Sequence, residues 1–191
     1  IRSISILGLL GALMVLVSAC SGQTDSTSHS KKIQIVTTTN VYSDIAKNVV
    51  GKYGDVHAII TNSTTDPHDF EPTTADAKKL SNANIIVANG LGYDSWMTKL
   101  ASSVDKKPVL VGEDLMSLKK GDNPHIWYNL NMPTKYVNYL VKRLSKLDKK
   151  HAAYFKENGQ KYLAKINKIK KLAKSIDGKN SKPVFVSEPV F

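Results

Sequence analysis

The sequence predicts an α/β fold with a mainly parallel sheet covered by helices. From about Lys31, short β-branched runs alternate with amphipathic stretches, and alternation at this spacing implies right-handed crossovers between parallel strands. No internal repeat competes with that reading. Ile33 to Thr37 is the first expected strand. Ser43 is the expected cap of a helix that puts Ile45, Ala46, Val49, Val50 and Tyr53 on one face, and Gly54 is its stop. Val56 to Thr61 is a second strand. Thr74 then caps a short helix running through Leu80, Ile85 to Ala88 is a third strand, Trp96 to Ser102 a helix, and Val109 to Val111 a fourth strand.

Two longer helices follow. Pro133-Thr134 starts the first, whose Val137, Leu140, Leu144 and Leu147 recur at helical spacing, and Lys149-Lys150 suits the negative end of its dipole. In the second, Phe155, Gly159, Tyr162, Ile166, Ile169, Ala173 and Ile176 form one narrow stripe from about Ala152 to Ser175, expected to face the protein while the lysines face water. Such a helix is about 36 Å long, enough to bridge two lobes. Gly178 ends it, and Pro183 to Ser187 reads as a strand opening a second lobe. The expected organisation is therefore an N-terminal lobe over residues 31–150, a connecting helix over 151–177 and the start of a C-terminal lobe over 178–191. A chain that lacks an initial Met and stops directly after an apolar run reads as a fragment at both ends.

With 191 residues, 41% hydrophobic and 23% charged, the chain is neither a disordered tail nor a fibre. Its net charge of +11 raises nucleic acid or an anionic surface as partners. The excess is local: residues 135–182 hold 15 of the 27 basic residues and 3 of the 16 acidic ones, leaving 12 and 13 elsewhere. That stretch has helical periodicity and none of the aromatic interleaving of single-strand binders, so it reads as a solvated helix face without a nucleic-acid partner. The single cysteine excludes an internal disulfide and any multi-cysteine metal site.

Cys20 has its own explanation. Arg2 precedes an apolar run from Ile4 to Val17, too short for an ordinary spanning helix and of signal-peptide length. Val17-Ser18-Ala19-Cys20 resembles the bacterial lipobox, whose cysteine is lipidated and becomes the new N-terminus. Residues 1–20 are thus expected to be a lipoprotein signal peptide, and the polar residues 21–30 a flexible tether.

Two loops carry the chemistry. Asp66-Pro67-His68-Asp69-Phe70-Glu71-Pro72 follows the second strand, and Asn123-Pro124-His125-Ile126-Trp127 follows the fourth. A proline before each histidine restricts the backbone where a preorganised ligand needs restriction. Singly, each Pro-His pair is more often an exposed or satisfied histidine. Together with Glu188, after Val184-Phe185-Val186, they gain weight, because ligands of open α/β sheets gather beyond the carboxyl ends of strands. Two neutral imidazoles and a carboxylate suit Zn²⁺, Mn²⁺ or Fe²⁺ better than Ca²⁺ or Cu⁺. His29, His57 and His151 lie in the tether, a strand and a helix start, and carry no such signal.

These motifs resemble those of the metal-binding lipoproteins of bacterial zinc and manganese ABC importers, the cluster A-I solute-binding proteins. The resemblance rests on Ile35-Val36-Thr37-Thr38-Thr39-Asn40-Val41-Tyr42-Ser43-Asp44-Ile45, the two histidine motifs, Ala88-Asn89-Gly90-Leu91-Gly92-Tyr93-Asp94 ahead of Trp96, and Val186-Ser187-Glu188-Pro189-Val190-Phe191. It implies two Rossmann-like lobes joined by a rigid helix. It implies a metal, Mn²⁺ or Zn²⁺, held between them by His68, His125, Glu188 and a fourth ligand, an aspartate, beyond Phe191; Asp69 and Glu71 are alternative sources of oxygen. It also implies a monomer, anchored to the cell membrane through lipid on Cys20, that hands the ion to an ABC permease. A carboxylate at the third position resembles the manganese members more than the zinc members. No catalysis is needed. The rivals are a secreted metallohydrolase, which would leave one metal position open for water, and a surface adhesin. The sequence offers no His-Glu-x-x-His, nucleophile elbow or phosphate loop to favour the enzyme.

Overall fold

The structure, a computed structural model, describes residues 31–176 together with Phe185 and Val186. The signal peptide, Cys20, the tether, Gly178 and Glu188 lie outside the described residues.

Four strands, β1 (Ile33–Thr39), β2 (Gly54–Ile60), β3 (Ile85–Ala88) and β4 (Val109–Leu110), form one sheet in the order β2-β1-β3-β4, with every pairing parallel. Ile35 is opposite Val56 on one side and Ile85 on the other. Because side chains alternate across a strand, the register sends Ile35, Ile85 and Val87 to one face and Val36, Ile86 and Ala88 to the other. Helices α1 (Asn40–Val50), α4 (Met132–Leu147) and α5 (Ala152–Ser175) supply the core on the first face through Ile45, Val49, Tyr136, Leu140 and Phe155. Helices α2 (Thr74–Ser81) and α3 (Ser95–Ser103) supply it on the second through Leu80, Trp96, Met97 and Ala101. With both faces covered, β3 is buried at all four positions, which explains its unbroken apolar run.

Several boundaries differ from those expected. Helix α1 begins at Asn40, and Ser43 does not cap it: its hydroxyl donates back to the Asn40 carbonyl at 3.1 Å, the local bond open to a serine one turn inside a helix. Gly51, in the left-handed region at φ 54°, ends α1, and Gly54 opens β2. Helix α2 is capped by Thr73, not Thr74. The Asp76 amide donates to Thr73 Oγ1 at 3.3 Å and the Thr73 amide donates to Asp76 Oδ2 at 3.0 Å, a reciprocal capping box. Strand β4 stops at Leu110, since Val111 enters a wide turn through Leu115.

Burial opposes the charge on Asp76, but the Thr73 amide and hydroxyl and the Lys79 ammonium at 3.0 Å outweigh it and hold the carboxyl below its usual range. The stability Asp76 lends is therefore present in full above about pH 4 and lost as the pH falls through its folded value. Asp76→Asn is expected to cost about 1 kcal/mol at pH 7, and urea unfolding should show that cost shrinking as the pH falls below about 4.

The stripe on α5 packs only along its first half. Phe155 and Gly159 are buried, Tyr162 and Ile166 half-buried, but Ile169 and Ile176 are 51% and 73% exposed. The reason is length. Helix α5 has 24 residues against 16 in α4, and Lys170 Nζ already donates to Asn131 Oδ1 and Thr134 Oγ1, both at 3.2 Å, at the start of α4. Beyond that point α4 has ended. Leu147, expected on the apolar face of α4, is 39% exposed. Phe185 and Val186, expected in a strand, belong to no regular element and are 97% and 50% exposed.

Candidate metal site

The two histidine loops leave the carboxyl side of the sheet, His68 between β2 and α2 and His125 between β4 and α4. Both use the same local device. The Asp66 carboxylate accepts the His68 backbone N–H at 2.8 Å, and Asn123 Oδ1 accepts that of His125 at 3.0 Å. An aspartate or asparagine two residues ahead thus closes a tight turn around each proline. Asn123 Oδ1 is also 2.7 Å from His125 Nδ1. An oxygen that accepts the backbone N–H is fixed as the acceptor, so Nδ1 carries the proton and the imidazole lone pair lies on Nε2.

One turn anchors both loops. Strand β3 runs into Asn89-Gly90-Leu91-Gly92-Tyr93-Asp94, where Gly90, Leu91 and Gly92 all take positive φ of 82°, 58° and 88°. For Leu91 that conformation costs about 1 kcal/mol or more. It is held by the Leu91 N–H donating to Glu113 Oε1 at 2.8 Å and by Asp94, whose carboxylate accepts from the Asn89 and Gly90 amides at 2.7 and 2.9 Å. Burial raises the Asp94 carboxyl above its usual value against the pull of these bonds and the Thr38 hydroxyl. From one end of the turn, Asn89 Nδ2 donates to the Pro124 carbonyl at 3.0 Å. The Tyr42 hydroxyl, kept protonated by burial, donates to Asn89 Oδ1 and so fixes which way the amide points. From the other end, Trp96 Nε1 donates to the Pro67 carbonyl at 2.9 Å. Each histidine is therefore preceded by a proline whose carbonyl is tied to the same short segment.

Tyr93, on that segment, stands between the histidines. Its ring meets His68 edge-on with centroids 4.9 Å apart, and His125 at 6.3 Å. Trp127 lies 5.2 Å from both the Tyr93 and the His125 rings. A cleft of about 460 Å³ is lined by His68, Asp66, Tyr93, Trp127, Thr39 and Asn40, while His125 lines a separate cavity with Asn123 and Ile126.

The structure thus gathers His68 and His125 around one tyrosine. It leaves Asp69 and Glu71 exposed in the first loop, and among the described residues no three His, Cys, Asp or Glu side chains converge to hold an ion. His57 is exposed on β2, and His151 stacks on Tyr53 at 3.7 Å and bonds Asp148 at 2.6 Å, both apart from the cleft. The sequence motifs contain Tyr93, Asn89, Trp96 and Asn123, but sequence reasoning gave none of them a role. The repeated Asx-Pro-His pattern was the available signal for Asn123; for the others only the Gly-x-Gly turn hinted at unusual backbone.

A parallel α/β lobe of this kind is the fold of the metal-binding solute-binding proteins. The lipoprotein YcdH of Bacillus subtilis superposes with a TM-score of 0.66 at 27% identity, covering 74% of this chain and 54% of that one. The model of the zinc-uptake complex component A periplasmic family matches residues 35–191, and the chain belongs to that family. The metal ABC transporter substrate-binding lipoprotein SsaB of Streptococcus sanguinis is 34% identical over 186 residues, covering 88% of this chain and 60% of that protein. The manganese ABC transporter substrate-binding lipoprotein PsaA of Streptococcus pneumoniae is 34% identical over 185 residues, covering 89% and 59%. The chain spans about three fifths of the length of these curated relatives.

Proposed function

We propose that the protein captures a divalent transition metal, Mn²⁺ or Zn²⁺, outside the cytoplasm and delivers it to an ABC permease, held at the membrane by lipid on Cys20. The observation that carries this reading is the pair of Asx-Pro-His loops tied to one turn, with both imidazoles beside Tyr93. His68 and His125 supply neutral nitrogen, and Glu188 supplies oxygen from the start of a second lobe that follows α5. Residues 31–150 act as the first lobe and α5 as the stiff connection between the two. The chemistry is chelation and release rather than catalysis, so protein groups that fill the coordination sphere serve it better than a position left open for water.

Membership of a zinc-uptake family and likeness to a manganese lipoprotein support both ions, and the carboxylate favours manganese. Glu188→Ala in the full-length protein is expected to weaken Mn²⁺ binding more than Zn²⁺ binding, because the harder ion depends more on carboxylate oxygen. Competition titrations of both ions check it. Equal losses would defeat the manganese preference, and no loss for either would remove Glu188 from the site.

A further inference from the structure

Helix α5 carries Lys156, Lys161, Lys165, Lys168, Lys171 and Lys174, all exposed. At 3.6 residues per turn these six occupy the half of the helix opposite Phe155, Gly159, Tyr162 and Ile166, along about 27 Å of its length. Neutralisation within the stretch is slight. Between residues 135 and 176 the only carboxylates are Asp148, taken by His151, and Glu157, taken by Lys161 at 2.6 Å. Outside residues 135–182 the chain holds 12 basic and 13 acidic residues, so its positive excess belongs to that stretch.

We infer that this lysine face lies against anionic lipid headgroups of the membrane to which the protein is anchored. A row of ammonium groups on a convex helix, with neither a groove nor interleaved aromatics, suits a broad anionic surface rather than nucleic-acid bases. Each lysine near such a surface adds attraction that fades beyond a Debye length of about 8–10 Å. Proximity rests on the reading of Cys20 as the lipidated N-terminus: only Ser21 to Ser30 then separate the anchor from the lobe, at most about 35 Å of chain. Residues 31–134 hold 11 basic and 11 acidic residues, so attraction acts through α4 and α5 and sets orientation as well as distance. The histidine loops carry none of these lysines.

The test uses the full-length protein expressed from Ser21 on, which carries no lipid, so that headgroup binding is measured apart from anchoring and from metal capture. Sedimentation with phosphatidylglycerol–phosphatidylcholine vesicles should show at least tenfold stronger binding than with phosphatidylcholine alone, disappearing at high salt. Lys165→Glu/Lys168→Glu/Lys171→Glu should abolish it. Lys78→Glu/Lys106→Glu/Lys107→Glu, with the same change in net charge on exposed lysines elsewhere, should retain most of it. Equal loss in the two triple variants would overturn the proposal. So would absence of vesicle binding, or capture of a soluble glycerol-phosphate polymer without capture of vesicles.

Discussion

Replacing either His68 or His125 by alanine in the full-length protein will weaken divalent-metal binding at least tenfold, about 1.4 kcal/mol, and leave the fold intact. The two halves of that expectation have separate grounds. His68 is exposed and His125 half-exposed, so neither ring fills core volume. What holds each loop is the Asx turn and the bond to the proline carbonyl, and both use backbone or neighbouring side chains that the substitution leaves in place. The imidazole is thus removed from a prearranged position, and the loss falls on the ion. Calorimetric titration alongside thermal melting of the metal-free protein separates the effects; unchanged affinity in both variants would remove these residues from the site.

Phe155→Ala will cost about 3–5 kcal/mol of stability. Phe155 is fully buried where α5 meets α1 and α4, with its ring edge-on to Tyr53 and Tyr154 at 6.1 Å each. One turn later Gly159 lets the helices approach so closely that a β-carbon there would meet Val141 Cγ2 at 2.7 Å. Packing this tight leaves little room to collapse around a lost ring. Urea unfolding measures the cost, and a loss under about 1 kcal/mol would mean that α5 is not seated on this core.

The elements were readable in the sequence because the sheet is buried on both faces and its helices are amphipathic, so apolar periodicity marked each one. Boundaries were less readable. Ser43 and Thr74 are both plausible caps, but α1 starts three residues before Ser43, with Thr39 at its cap position, and Thr73 makes the capping box of α2. The apolar stripe of α5 shows which face avoids water but not how far a neighbour extends to cover it, so the exposure of Ile169 and Ile176 among the described residues was not legible from it. His68 and His125 stood out because proline and an Asx residue precede each. Their approach to Tyr93 did not, because it depends on the β1–β2, β1–β3 and β3–β4 pairings that bring three loops to one edge, and a tyrosine in an aperiodic turn carries no local mark.

The tie of both proline carbonyls to Asn89 and Trp96 also bears on what the chain can tolerate. His68 and His125 are 57 positions apart, yet their spacing is gauged from a single eight-residue segment. A rigid displacement of that segment carries both loops along and leaves the gap between the imidazoles nearly unchanged, as two jaws mounted on one base keep their separation when the base moves. Insertions at the tips of the surrounding loops, such as beside Gly121, then alter chain length without altering the gauge. Changes inside Asn89 to Trp96 have no such shelter, and it is there that sequence drift would first be felt as altered affinity for the ion.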